Sequence, residues 1–142
     1  MASSTKSASL LLLLALFIAI HHCGAQLTDC PSDTSPNVVY YNTRNTQPGS
    51  AFQRNLSNVY RRIINGATFR QGSISYNAGV DPDRVYGFSA CFGGFTAPGD
   101  CVQCLVDIRA NFDSVAPLAV GARMCSKNGE RTCYMRYENY SF

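Results

Sequence analysis

The chain has 142 residues, 46% of them hydrophobic, with seven cysteines, two histidines and no tryptophan. Its net charge of +3 comes from 12 Lys/Arg against 9 Asp/Glu scattered along the chain, too weak and diffuse to argue for a nucleic-acid partner. The length suits one domain.

Lys6 precedes an unbroken apolar run from Leu10 to Ile20, too short to span a bilayer comfortably, and Cys23, Gly24 and Ala25 supply small residues at a cleavage point. Residues 1–25 therefore read as a secretory signal peptide cut after Ala25. No second apolar run of transmembrane length follows, so no stable membrane insertion is expected. Cleavage leaves Gln26–Phe142, 117 residues with 11 Lys/Arg, 9 Asp/Glu, six cysteines and no histidine. An even cysteine count in a short secreted chain reads as three disulfides, with fifteen connectivities open.

Cys30 lies in a polar Pro/Ser/Asp segment. Residues 38–41, β-branched and aromatic, predict a short strand, and 42–49 a loop. Ser50 is placed to cap a first helix whose Phe52, Leu56, Val59, Tyr60 and Ile63 fall at helical spacing, with Gln53, Arg54, Arg61 and Arg62 on other faces. Asn65-Gly66 ends it. Residues 67–77 alternate like a strand around Gln71-Gly72, a turn or a bulge. Asp81-Pro82-Asp83 is a turn. The next strand, 84–91, sets Val85, Gly87, Ser89 and Cys91 on one face and Tyr86, Phe88 and Ala90 on the other. A Gly/Pro-rich loop leads to a second helix, with Asp100 as its cap, an apolar face of Cys104, Leu105, Ile108, Phe112 and Val115, and Pro117 as its stop. Residues 118–124 predict a strand, 126–131 a charged turn and 132–138 a final strand. The order predicts an α+β fold with helices covering one face of a sheet.

Most catalytic constellations are missing. Without histidine in the cleaved chain, Ser–His–Asp and Cys–His triads and His-bearing metal sites are excluded. Cys101-x2-Cys104 has zinc-ligand spacing, but in a secreted chain the disulfide reading prevails. Asp107, Asp113 and Glu138 are candidate acids for glycoside hydrolysis, yet nothing marks any pair of them. Gly93-Gly94 has neither the helix-opening glycine pattern nor the lysine of a phosphate loop. The basic face of the first helix reads as solvated, above a core-facing apolar stripe. The chain is thus expected not to be an enzyme and to need no cofactor or metal. Two glycosylation sequons occur, at Asn55 and Asn139, and Asn55, on the polar side of its helix, is the better candidate.

Cys91-x9-Cys101-x2-Cys104, with a later Cys133 ahead of Tyr137-Glu138, resembles the plant cysteine-rich secretory domain known as the stress-antifungal, or ginkbilobin-like, domain, whose hallmark is Cys-x8-Cys-x2-Cys. The resemblance extends to the runs at 48–56, 85–91, 120–123 and 133–142. It implies two helices on one face of an antiparallel sheet of about five strands. It also implies bridges Cys91–Cys101 and Cys104–Cys133. The chain departs from the pattern in the extra residue of the Cys91–Cys101 loop, and in Tyr41 and Ala116, which stand where the family has a bridged cysteine pair. Cys30 and Cys125, absent from the usual pattern, are the remaining two and are expected to form a relocated third bridge.

Antifungal members bind mannose through an asparagine, an arginine and a glutamate, which fall by position at Asn42, Arg123 and Glu138. An amide, a guanidinium fork and a carboxylate together both donate to and accept from sugar hydroxyls. The same residues also suit a turn asparagine and a cross-strand ion pair. Tyr41 adjoins Asn42, where it either leaves the asparagine's loop without its bridge or adds an aromatic face. The resemblance implies a secreted mannose-binding, lectin-like antifungal protein acting on fungal cell-wall glycans; the alternative is a non-lectin apoplastic interaction module partnering receptor ectodomains.

Overall fold

A computed structural model describes Cys30 and residues 37–67 and 72–142. The expected signal peptide lies outside the described residues, as does the 68–71 portion of the stretch read as a strand or bulge. Among the described residues seven elements follow in order: β1 (Asn37–Tyr41), α1 (Ala51–Gly66), β2 (Ser73–Ala78), β3 (Val85–Phe92), α2 (Pro98–Val115), β4 (Gly121–Asn128) and β5 (Arg131–Glu138). The five strands form one antiparallel sheet in the order β1-β4-β5-β3-β2, with α1 over β2 and β3 and α2 over β4 and β5.

The period-2 pleat sorts the strands' side chains into two faces. The helix-covered face carries Ala122 and Met124 of β4, Cys133, Met135 and Tyr137 of β5, and Cys91 of β3, all buried with Leu56, Val59, Ile63, Leu105, Ile108 and Phe112 of the helices. Tyr137 is the centre of an edge-to-face aromatic group, 5.6 Å from Tyr60 and 5.7 Å from Phe112 between ring centroids, and its hydroxyl donates to Ala119 O at 3.2 Å. Burial pushes the Tyr137 phenol up to about 12. Gly87 permits the close approach of α1, since a Cβ there would collide with Val59. Ser89, buried on the same face, donates its hydroxyl to Ile63 O at 2.8 Å.

Helix α1 starts as its sequence predicts, with Ser50 Oγ accepting from Gln53 N–H at 3.3 Å. Helix α2 does not. Its N-cap is Ala97 and Pro98 takes the first helical position, where the missing N–H has no intrahelical role and φ is already suitable. Asp100 lies inside the first turn instead, near the positive helix end, and pairs with Arg131 at 3.2 Å. Val115, assigned to the apolar face, is 49% exposed as the last residue of the helix. The charged turn expected at 126–131 shrinks to Gly129-Glu130: β4 runs on to Asn128, paired with Arg131, and Gly129 takes the left-handed conformation (φ 60°).

The fold carries three disulfides. Cys91–Cys101 spans 6.0 Å between Cα atoms and closes the β3-to-α2 corner; Cys104–Cys133 spans 6.3 Å and pins α2 to β5. Both pairings agree with the resemblance. Loops of these lengths give each bridge about 3 kcal/mol by the chain-entropy account. Cys30 and Cys125 are both disulfide-bonded, as a relocated third bridge requires.

Candidate functional site

Beyond β1 the chain stays laced to the entry of β4. Asn42 N–H donates to Gly121 O at 2.8 Å, Val120 N–H to Arg44 O at 3.0 Å, and Thr46 N–H to Leu118 O at 2.8 Å. Asn42 is thereby held opposite Gly121, which stands opposite Glu138 across β4 and β5. Two residues along, in the next row of the same face, Tyr40 faces Arg123, and Arg123 faces Arg136. Two adjacent rows over three strands bring Asn42, Arg123 and Glu138 to one corner of the sheet. Arg123 and Glu138 alternate with Ala122 and Tyr137 and so belong to the face turned away from the helices.

Gly121 makes the corner compact. A side chain there would collide with Glu138 Oε2, so the carboxylate leans from β5 over the bare backbone of β4, in the direction of Asn42. Glu138 is 3% exposed. Its Oε1 accepts from Arg136 Nε at 3.3 Å. Burial pushes the Glu138 carboxyl above its ordinary value, against the opposing pull of Arg136 and, behind it, of Arg123 and the Tyr140 hydroxyl. The cations are themselves positioned by rings: Arg123 lies 4.8 Å from the Tyr40 ring centre and Arg136 lies 4.0 Å from that of Phe142. Arg136 Nη2 also donates to Tyr140 OH at 3.3 Å. Asn42 Oδ1 accepts from Arg44 N–H at 2.9 Å, a local turn bond that fixes the amide and presents Nδ2 as its donor.

The corner therefore offers an amide donor, guanidinium donors and a desolvated carboxylate acceptor, the complement of a ligand rich in hydroxyls. Gly121, Arg136 and Tyr40 belong to it and were not singled out from the sequence. The Arg136-x-Glu138 spacing on a strand was a legible signal, because period 2 puts both on one face. Tyr40 and Gly121 carry no such signal; their place depends on register between strands distant in sequence. Among the described residues no three His, Cys, Asp or Glu side chains group as metal ligands, and no helix is long and apolar enough to cross a membrane.

The two sequons differ. Asn55 Nδ2, the atom that would carry a glycan, donates to Asp83 O at 2.8 Å and packs over Gly79. Asn139 is half-buried just beyond β5, beside exposed Tyr140.

A family model described as salt stress response/antifungal matches residues 29–140. Plasmodesmata-located protein 7 of Arabidopsis thaliana is 25% identical over 96 residues, which cover 67% of this chain and 30% of that protein. The tandem DUF26 ectodomain of the A. thaliana cysteine-rich receptor-like protein PDLP8 superposes with a TM-score of 0.66 at 19% identity, over 74% of this chain and 48% of the ectodomain. That of PDLP5 gives 0.64 at 17% identity, over 74% and 50%. The chain thus spans about a third of its curated relative and about half of each solved ectodomain. With the match over 29–140 and the shared two-helix, five-stranded fold, the chain belongs to the salt stress response/antifungal family, the DUF26 domains of plants.

Proposed function

We propose that this protein is a secreted, lectin-like defence module that binds mannose-type glycans of fungal walls through Asn42, Arg123 and Glu138. The observation that carries this reading is the cross-strand register that sets Asn42, Gly121 and Glu138 in one row, with Arg123 in the next. The missing side chain at Gly121 lets a carboxylate approach the asparagine, and the two flanking guanidinium groups supply donors. Binding without bond cleavage fits this set: one carboxylate held by an arginine is not the pair of facing acids that a glycosidase needs.

Titration of the secreted protein with methyl α-mannoside tests the reading. Asn42→Ala and Glu138→Ala should each weaken binding by about tenfold or more, the loss of one hydrogen bond to a charged or amide partner. Affinity unchanged in both variants would remove the named site. The same variants should lose fungal growth inhibition in parallel.

A second reading, an extracellular protein-interaction module, is supported by the solved relatives being receptor-like ectodomains of which this chain matches half. Saturable binding to a recombinant receptor-like ectodomain, undiminished by mannoside and by Glu138→Ala, would favour it.

A further inference from the structure

Asn42 also lines a second feature, a groove of about 320 Å³ between the strand-exit loop and the end of α2. One wall is Tyr41, Asn42, Thr43 and Asn45; the other is the turn 115–118. We propose that this groove is a saccharide subsite, holding the neighbouring sugar residue of a glycan whose terminal residue occupies the Asn42, Arg123 and Glu138 corner. The proposal rests on the mannose reading above and extends it to oligosaccharides.

The chemistry of the walls selects the ligand class. Among the described residues no acidic or basic side chain lines the groove, which disfavours charged ligands. Tyr41 is 45% exposed and Val115 49%, and with Leu118 they offer an apolar surface for the C–H face of a pyranose. Asn42, Thr43 and Asn45, on the same wall as Tyr41, offer amide and hydroxyl groups suited to its hydroxyls. The volume lies near the lower end of the roughly 300–1,000 Å³ of small-molecule sites, room for a single ring.

The walls are also set before any ligand arrives. The bond from Thr46 to Leu118 ties the strand-exit loop to the turn, those from Asn42 to Gly121 and Val120 to Arg44 tie the same loop to the entry of β4, and Gln53 Nε2 donates to Pro117 O at 3.4 Å from α1. Little ordering remains to be done on binding. Tyr41 and Ala116, both in the lining, are the positions where the resemblance implies a bridged cysteine pair. In this chain a ring and a methyl group stand at those two positions.

The test compares methyl α-mannoside with mannobioses of each linkage by calorimetry, and follows backbone amide signals of 43–46 and 115–118 by NMR. Wild type should bind one mannobiose on the order of tenfold tighter than the monosaccharide, the yield of one hydrogen bond with ring burial. In Tyr41→Ala and Asn45→Ala that ratio should fall to near one, and the amides should move with disaccharide but not with monosaccharide. A ratio equal in wild type and both variants, or amides that stay still at saturating disaccharide, overturns the subsite. Amides that move with disaccharide while Glu138→Gln changes no affinity would keep the groove and overturn the corner. Silence toward every saccharide overturns both.

Discussion

Gly121→Ala tests the corner without touching any proposed ligand group. An alanine Cβ would overlap Glu138 Oε2 and come within 3.3 Å of Tyr137 O. Gly121 has no positive φ, so the backbone accepts alanine, and in a strand alanine is ordinarily favoured over glycine by roughly 0.5–1 kcal/mol. Against that gain, the carboxylate must leave its place above β4 while remaining tied to Arg136 in a buried setting. Overpacking of this kind costs about 1–3 kcal/mol. The net expectation is a loss of about 1–2 kcal/mol, or ~4–8 °C in Tm by the usual scaling for a domain near this size. Mannoside affinity should fall by roughly ten- to a hundredfold, because a hydrogen bond to a charged group contributes about 1.5–3 kcal/mol. Denaturant unfolding and calorimetric titration measure the two separately. Gly121→Ala with wild-type stability and wild-type affinity would show that the carboxylate does not occupy the space above Gly121, and the reasoning would fail.

Ser89→Ala should lower unfolding free energy in urea by about 1–2 kcal/mol, since it removes a buried 2.8 Å bond between β3 and the end of α1. Asn55→Ala should cost about 1 kcal/mol by the same measurement, because its amide fastens α1 to the turn before β3; peptide mapping of protein expressed through a plant secretory pathway should correspondingly find glycan at Asn139 in preference to Asn55. Affinity for mannoside should decline on acidification with a midpoint above the ordinary 4.5 of a glutamate, and Glu138→Gln should show weak binding without that transition. The stability sign is opposite: burial raises the folded pKa of Glu138, so its contribution is present below the unfolded value and is lost as pH rises through the folded one. Relative to Glu138→Gln, wild type should therefore lose stability over that window.

The elements were largely legible because each carried its own period. Phe52, Leu56, Val59, Tyr60 and Ile63 make one stripe of α1, and all are buried. The alternation through 85–91 placed Cys91 on the core side with Gly87 and Ser89. Boundaries failed where short-range chemistry competed. Pro98 outranked Asp100 as the start of α2, and the Gly129-Glu130 turn let β4 absorb residues that look like a charged loop. The proposed ligand residues were reached through family resemblance, while their neighbourhood was hidden. Gly121 meets Glu138 across 17 residues of chain, and Asn42 meets Gly121 across 79, contacts that only strand order and register determine. Tyr41 and Val115 show the same limit: each fits a local pattern of strand or helix, yet both lie exposed beside a groove that exists only once β1 and α2 are brought together.

The two faces of the sheet carry different chemistry, and the proposed binding corner lies on the one turned away from the helices. On the helix side, apolar alternation, the Tyr60–Tyr137–Phe112 group and the Cys104–Cys133 bridge serve packing, and the buried Ser89 hydroxyl there is hydrogen-bonded. On the opposite face, Glu138 is withdrawn from water with its carboxyl driven toward the neutral form. A buried ion pair such as Glu138–Arg136 is a poor stabiliser, and apolar residues of similar volume usually serve as well or better. Packing alone therefore gives no reason for this pair, nor for a glycine at 121 where an ordinary strand residue would hold the ladder more firmly. Both choices acquire a reason if a partly desolvated acceptor must stand beside Asn42, because a hydroxyl donated to such a carboxylate gains more than one donated to a carboxylate in free solution. The two disulfides at the β3–α2 corner and on β5 offset that local cost by holding the core on which the corner rests.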